Sequence, residues 1–217
     1  YKEAIIKRLI GENKRVTALD HHAMCEEAVH LTNKGVFDNA RSGAVIAWNY
    51  FHPKKSVPVL LKYVEDNDLW RHNLPQSKAM TAYLRTVPHS FTAWSKIAHE
   101  TKTAAGRKKC FEKGQLLLTQ EMQLVEQLVK ENAQTVKFKE HTTLAVNSPY
   151  FRDNIGELLC KTLPPFGIIW DERRGKIVVS LRSDGTFDVA ALAAEFGGGG
   201  HKSAAGFTLS KGEPVPW

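Results

Sequence analysis

Residues 2–22, KEAIIKRLIGENKRVTALDHH, decide the architecture. Ile5, Ile6, Leu9 and Ile10 recur at helical spacing and predict an amphipathic helix over 2–10. Gly11 and Asn13 end it, and Arg15-Val16-Thr17-Ala18-Leu19 reads as a short buried strand. Asp20-His21-His22 then stands at the carboxyl end of that strand, where open α/β sheets bind their ligands. The fold class expected from this unit is α/β, with the strand in a parallel sheet.

Working outward, the rest of the first half reads as helices over 40–51, 57–64, 77–85 and 90–100, the last two each opening on a capping Ser. The second of these runs into an acidic loop, Glu65-Asp66-Asn67-Asp68. One strand in a hundred residues cannot pair its own backbone groups. The sheet is therefore expected to be completed from upstream βα units, or by a second chain in a homodimer or with another partner. The chain opens on Tyr1 rather than Met, and the first alternative predicts roughly 80–120 further residues upstream.

Residues 101–109, TKTAAGRKK, read as a polar joint, followed by a long helix over 111–134. Beyond it, 143–146 reads as a strand, and Ser148-Pro149 as the start of a helix running to Cys160. Strands at 167–170 and 176–181 flank a turn over 171–175. A helix over 188–196, a glycine run and a final strand at 207–209 complete the chain. The expected domains are 1–105, a linker helix over 106–134, and a smaller α/β domain over 135–217.

Composition bounds the function classes. Hydrophobic residues make up 42% of the 217 residues, and no run approaches the roughly 20 apolar residues of a membrane span. Cys25, Cys110 and Cys160 are odd in number and far apart, which excludes a disulfide framework and predicts a reducing, cytoplasmic setting. The net charge of +7 suits an anionic partner such as a phosphate-bearing substrate, and equally a basic solvated surface. No P-loop, no nucleophile elbow of the G-x-S-x-G type and no H-E-x-x-H helix is present.

Three constellations carry chemistry. In Asp20-His21-His22, one imidazole can serve a metal and the other an anion while Asp20 sets a tautomer; a structural His pair at a strand end is the alternative. Asp66 and Asp68 can hold a hard cation or merely cap a helix. Gly197-Gly198-Gly199-Gly200-His201, between a helix and a strand, either is a flexible linker or lets backbone N–H groups approach a phosphate beside His201. Arg182 can add a forked guanidinium to such a phosphate site.

In this order the three resemble the DHH phosphoesterase superfamily with its C-terminal DHH-associated domain. The residues carrying the resemblance are Ala18-Leu19-Asp20-His21-His22, Ser42-Gly43-Ala44, Tyr63-Val64-Glu65-Asp66-Asn67-Asp68-Leu69-Trp70, and Gly198-Gly199-Gly200-His201 with Ala204-Ala205-Gly206-Phe207. The resemblance implies a DHH domain holding a divalent cation, usually manganese, with magnesium the other choice. It also implies a second domain that grips a short nucleic acid, cyclic dinucleotide or related phosphate across a cleft, with exonucleases among the members. It makes His21 and Asp66 metal ligands, with Asp68 second choice to Asp66. His22 contacts phosphate, with Asp20 behind it, and Arg182, Gly198, Gly199, Gly200 and His201 bind the substrate.

The chain departs from the family pattern in two ways. It has no N-terminal Asp-x-Asp motif and no further strand-end Asp, so its two implied ligands are too few for a two-metal centre. It also has Lys202 where Pro is common. Three readings follow: a phosphoesterase lacking its N-terminal part, an inactive homologue that binds nucleotide or serves as a scaffold, and a nucleic-acid-binding module relying on the basic surface alone.

Overall fold

A computed structural model describes residues 3–217; the expected helix start at Lys2 lies outside the described residues. The chain divides into two compact units, Tyr1–Thr119 and Gln120–Trp217. The division falls inside the longest helix.

The first unit opens with α1 (Glu3–Glu12) and β1 (Thr17–Asp20). It contains a second strand that the pattern does not predict, β2 (Lys34–Phe37), paired parallel to β1 from Thr17↔Lys34 to Asp20↔Phe37. Residues 21–33, including a 3-10 turn and α2 (Glu26–His30), form the crossover. Four residues, one of them Gly35 with no side chain, are too short a run to register as a strand. Gly35 is required there all the same: a Cβ would lie 2.2 Å from the Val29 carbonyl oxygen.

Four helices follow: α3 (Gly43–Phe51), α4 (Val59–Asp68), α5 (Ser77–Leu84) and α6 (Phe91–Glu100). Ser42 and Ser90 cap α3 and α6, their hydroxyls accepting the Val45 and Ala93 N–H groups at 3.2 Å. Ser77 does not cap; the N-cap of α5 is Gln76, held at φ 59°, and Ser77 is the first helical residue. The acidic stretch 65–68 is likewise not a loop but the last turn of α4. Apolar clusters around Leu60, Val87 and Ile97, and around Tyr63, Met80 and Cys110, bind these helices together.

Helix α7 (Ala104–Asn132) absorbs most of the expected joint. Gly106 suggests a break in the sequence, but it marks close packing: a Cβ there would lie 1.8 Å from the Glu100 carbonyl oxygen.

The second unit is a six-stranded mixed sheet of order β3-β4-β5-β6-β8-β7. Its strands are β3 (Gln134–Phe138), β4 (His141–Asn147), β5 (Phe166–Arg173), β6 (Lys176–Ser183), β7 (Gly199–His201) and β8 (Ala204–Ser210). Only β4 and β5 run parallel. Strand β3 begins at the residue where the long helix was expected to end.

Helix α8 (Arg152–Thr162) starts later than Ser148-Pro149 predicts, on a left-handed Phe151. The Ser148 hydroxyl closes a local turn with Tyr150 instead. The expected turn over 171–175 shrinks to Arg174-Gly175, at φ 49° and 74°, because Asp171, Glu172 and Arg173 belong to the ladder. Helix α9 (Val189–Ala194) is capped by Asp188, whose carboxylate accepts the Ala190 and Ala191 N–H groups.

Alternation along the strands sends Ile168, Val179, Leu181, Ala205 and Phe207 to the α9 face. Val146 and Ile169 go to the opposite face, with Ile155 and Leu159 of α8 and Val125 of α7.

Helix α8 lies on the sheet through two glycines. A Cβ on Gly156 would lie 2.4 Å from Cγ of Arg182, and one on Gly167 would lie 2.5 Å from Cβ of Leu159. Its first residue, Arg152, and Arg173 of β5 both bind the buried Asp171 carboxylate. Burial raises the Asp171 pKa, and these two guanidinium groups more than reverse that, leaving it below the ordinary carboxylate value.

Gly167→Ala is expected to lower the stability of the second unit by ~1–3 kcal/mol in urea denaturation. Gly11→Ala, near the end of α1 with no atom within 4 Å of the new Cβ, should be neutral or stabilising by up to ~1 kcal/mol. Asp171 stabilises the fold while ionised. Its contribution is therefore complete above its unfolded pKa of about 3.9 and is lost as pH falls through the lower folded value. Asp171→Asn should cost about 2 kcal/mol at neutral pH and flatten the decline of stability below about pH 4. An unchanged slope would show that the Arg152–Asp171–Arg173 cluster does not set it.

Candidate functional site

The site of the first unit is built on the end of β1. Oδ1 of Asp20 accepts three hydrogen bonds: from the His21 N–H at 2.7 Å, from the His22 N–H at 3.0 Å, and on the ring Nδ1 of His22 at 2.8 Å. The chain turns out of the strand around this one oxygen. Burial works to raise the Asp20 pKa, and the bonds from His22 and His21 bring it down to about 2. The contact of His22 Nδ1 with the carboxylate sets the orientation of the imidazole ring.

His21 is 6% exposed, and its ring packs edge-on against that of His22, with centroids 4.2 Å apart. A carboxylate reaches it from the last turn of α4: Nε2 of His21 lies 3.6 Å from Oδ2 of Asp68. Asp66 is engaged elsewhere. Its two carboxylate oxygens accept the Asn73 and Leu74 N–H groups at 3.0 and 3.2 Å, and its carbonyl accepts those of Arg71 and His72. Burial works to raise the Asp66 pKa, while the Ser77 side chain, followed by the Leu74 and Asn73 N–H groups, brings it below the ordinary value. The loop it holds contains three non-glycine residues at positive φ, Trp70, His72 and Gln76. Asp66 therefore organises this loop, and Asp68, the second choice in the sequence, is the carboxylate found beside His21.

Glu65, next in the same turn, is also buried. It accepts the Ser42 N–H at 2.9 Å and pairs with Arg41 at 3.3 Å and Arg71 at 4.0 Å, tying the start of α3 to the end of α4. Gly43, the first residue of α3, would bring a Cβ to 3.9 Å from Cδ2 of His21. The Ser42-Gly43-Ala44 stretch thus forms a wall of the His21 site. Neither Arg41 nor Arg71 carried a recognisable signal in the sequence.

His21 and Asp68 present nitrogen and oxygen donors close together, which fits part of the coordination shell of a divalent cation. The pair alone does not make up the ligand set of a two-metal centre.

In the second unit, Arg182 and His201 are both cross-strand partners of Ala204, one on each side of β8. Register places the two side chains on one face of the sheet, with the central strand between them. The Arg182 guanidinium is held by Asp153, through Nε at 3.0 Å and Nη2 at 2.7 Å, and is aimed by that contact. Asp153 is missing from the sequence reading because nothing local distinguishes it from any acid in the first turn of a helix.

The glycine run is neither a linker nor an open loop. The N–H groups of Gly197 and Gly198 donate to Ala194 and Ala193 and close the end of α9. Gly199 and Gly200 pair with β8. A Cβ at Gly198 would lie 2.2 Å from the Gly206 carbonyl oxygen, and one at Gly200 would lie 2.5 Å from that of Ala204. Strand β7 is an edge strand, so its remaining backbone groups turn outward.

Comparison with known proteins covers both halves of this description. Residues 156–216 match the family model of the DHHA1 domain. The chain is 29% identical over 220 residues to an uncharacterized protein of Acanthamoeba polyphaga mimivirus, an alignment covering 97% of this chain and 51% of the relative. It thus spans about half the length of the curated relative it matches.

Among solved structures, it is similar to a pGpG-specific phosphodiesterase from Vibrio cholerae, with 12% identity and a TM-score of 0.44 over 83% of this chain and 74% of the other. It is also similar to an exopolyphosphatase-related protein from Bacteroides fragilis, with 17% identity and a TM-score of 0.46 over 89% and 58%. Among the described residues, no helix is long and apolar enough to cross a membrane. The chain thus matches a DHHA1 domain over residues 156–216, behind an Asp20-His21-His22 motif at a strand end.

Proposed function

We propose that the protein is the DHH–DHHA1 part of a metal-dependent phosphoesterase acting on short oligonucleotides, cyclic dinucleotides or related phosphates. The observation that carries this reading is the convergence of His21, His22 and Asp20 on one strand end with the Asp68 carboxylate beside His21. A divalent cation, manganese or magnesium, supplies Lewis-acid stabilisation of charge on a phosphoryl group when bound.

The chain's own residues do the rest. His21 and Asp68 hold the cation, and Asp66 keeps the loop after α4 in place. Asp20 fixes the His22 ring so that Nε2 donates to or accepts from the phosphate. In the DHHA1 domain Arg182, aimed by Asp153, binds substrate phosphate with a forked contact. His201 and the outward backbone of Gly199 and Gly200 contribute from the edge strand, with Gly198 holding that strand against α9.

The direct test is mononucleotide release from an RNA dinucleotide in manganese. Turnover should stop in EDTA and return when manganese is restored. His21→Ala should abolish it, and Asp20→Asn should reduce it by about 10–100-fold, the usual cost of removing a group that orients a metal-site histidine. Dinucleotide binding that is insensitive to EDTA, with no turnover in a folded sample, would favour an inactive nucleotide-binding homologue instead.

Arg182→Lys keeps the charge but loses the fork, and should raise KM by about tenfold with little change in kcat. An unchanged KM would remove Arg182 from the substrate site.

A further inference from the structure

The first unit carries a second concavity that the mechanism above does not use. Helices α4, α5 and α6 border an open concavity of about 500 Å³, within the size range of small-molecule sites. Asn67 and Asp68 line it from the last turn of α4, Leu84 and Arg85 from the end of α5, His89 from the loop before α6, and Trp94 from the start of α6.

Two properties single it out. The first is the chemistry of its lining. Trp94 packs against the Leu60, Val87 and Ile97 cluster, so its ring is already held in place as a flat apolar wall. Asn67 offers both a donor and an acceptor on one planar amide, the pairing that reads the edge of a base. Arg85 and His89 are exposed at the rim and bring cationic and N–H donor character. Phe91, one turn before Trp94 on the same helix, is 96% exposed, an aromatic ring presented to solvent beside the pocket.

The second property is position. Asp68 lines this pocket and also lies 3.6 Å from Nε2 of His21. The pocket and the candidate metal-binding histidine therefore share one carboxylate, within one unit of the fold.

We propose that this pocket binds one nucleoside monophosphate unit. The base lies against Trp94 with its edge on Asn67, and the phosphate meets Arg85 and His89. Resting on the phosphoesterase reading, the bound unit is a nucleotide of the substrate adjoining the phosphate at His21. The site then selects nucleic-acid substrates over polyphosphate, because an inorganic chain has no ring for Trp94.

Binding and turnover test the two claims separately. The protein is titrated with AMP, adenosine and inorganic phosphate in turn, in EDTA, and followed by the indole N–H resonance of Trp94. That resonance is identified by its absence in Trp94→Phe. AMP should shift it, adenosine should shift it with lower affinity, and phosphate alone should leave it in place. Arg85→Gln and His89→Gln, both at exposed positions, should each weaken AMP binding by about tenfold and leave adenosine binding unchanged.

No shift at millimolar AMP would overturn the proposal. So would AMP binding that is lost in Arg182→Lys and unaffected by Arg85→Gln, since that places the nucleotide in the DHHA1 domain. A Trp94 shift without any dinucleotide turnover would keep the pocket and sink the phosphoesterase reading. Turnover without the shift would do the reverse.

Discussion

A strand that ends under a covering of helices must find partners for the N–H groups it leaves behind, and in the first unit one oxygen meets most of that requirement. Oδ1 of Asp20 receives the N–H groups of His21 and His22 and faces the His22 ring as well. The same contacts that end β1 therefore fix the directions of two imidazoles. Because the oxygen must stay ionised to accept three donors, a carboxylate held near pKa 2 is part of the fold and of the site at once. The other buried carboxylates of this unit follow the same logic. Glu65 ties the start of α3 to α4, and Asp66 folds the following loop around itself. Glu65, Asp66 and Asp68, within one helix turn, thus face different elements, and Asp68 is the carboxylate beside His21.

The second unit depends on steric allowance more than on charge. Gly156 and Gly167 let α8 settle on β5 and β6, Gly198 and Gly200 let β7 close onto β8, and Gly206 lets β8 approach β6. These approaches bring Arg182 and His201 to the two sides of Ala204 and leave α9 free to cover the opposite face. A glycine run that looks like a phosphate cradle in one dimension serves first as a helix terminus and an edge strand. Whatever it offers a ligand comes from backbone that those roles leave facing outward.

Local patterns carried a good part of this. The amphipathic spacing of Ile5, Ile6, Leu9 and Ile10, the Ser90 cap, the long helix and the strands after Gly167 were all legible, because each depends on residues within one or two turns of itself. The errors share a cause. Lys34–Phe37 becomes a strand only through pairing with β1, Gln134–Phe138 only through pairing with β4, and Gly106 is helical because a neighbouring carbonyl needs the space. Glu65–Asp68 looked like a loop because four polar residues in a row mimic one; they stay helical because two of the carboxylates are buried against partners distant in sequence.

By itself the sequence determined the α/β class and the order of the Asp-His-His and glycine-histidine motifs, since side-chain type and short-range periodicity do not need the rest of the molecule. The tertiary structure alone decided which of Asp66 and Asp68 stands beside His21, that Asp153 aims Arg182, and that Asn67, Arg85, His89 and Trp94 line one pocket. Those outcomes rest on contacts between helices and strands well separated along the chain, where hydrogen-bond satisfaction and close packing, not local propensity, choose among groups of the same chemical type.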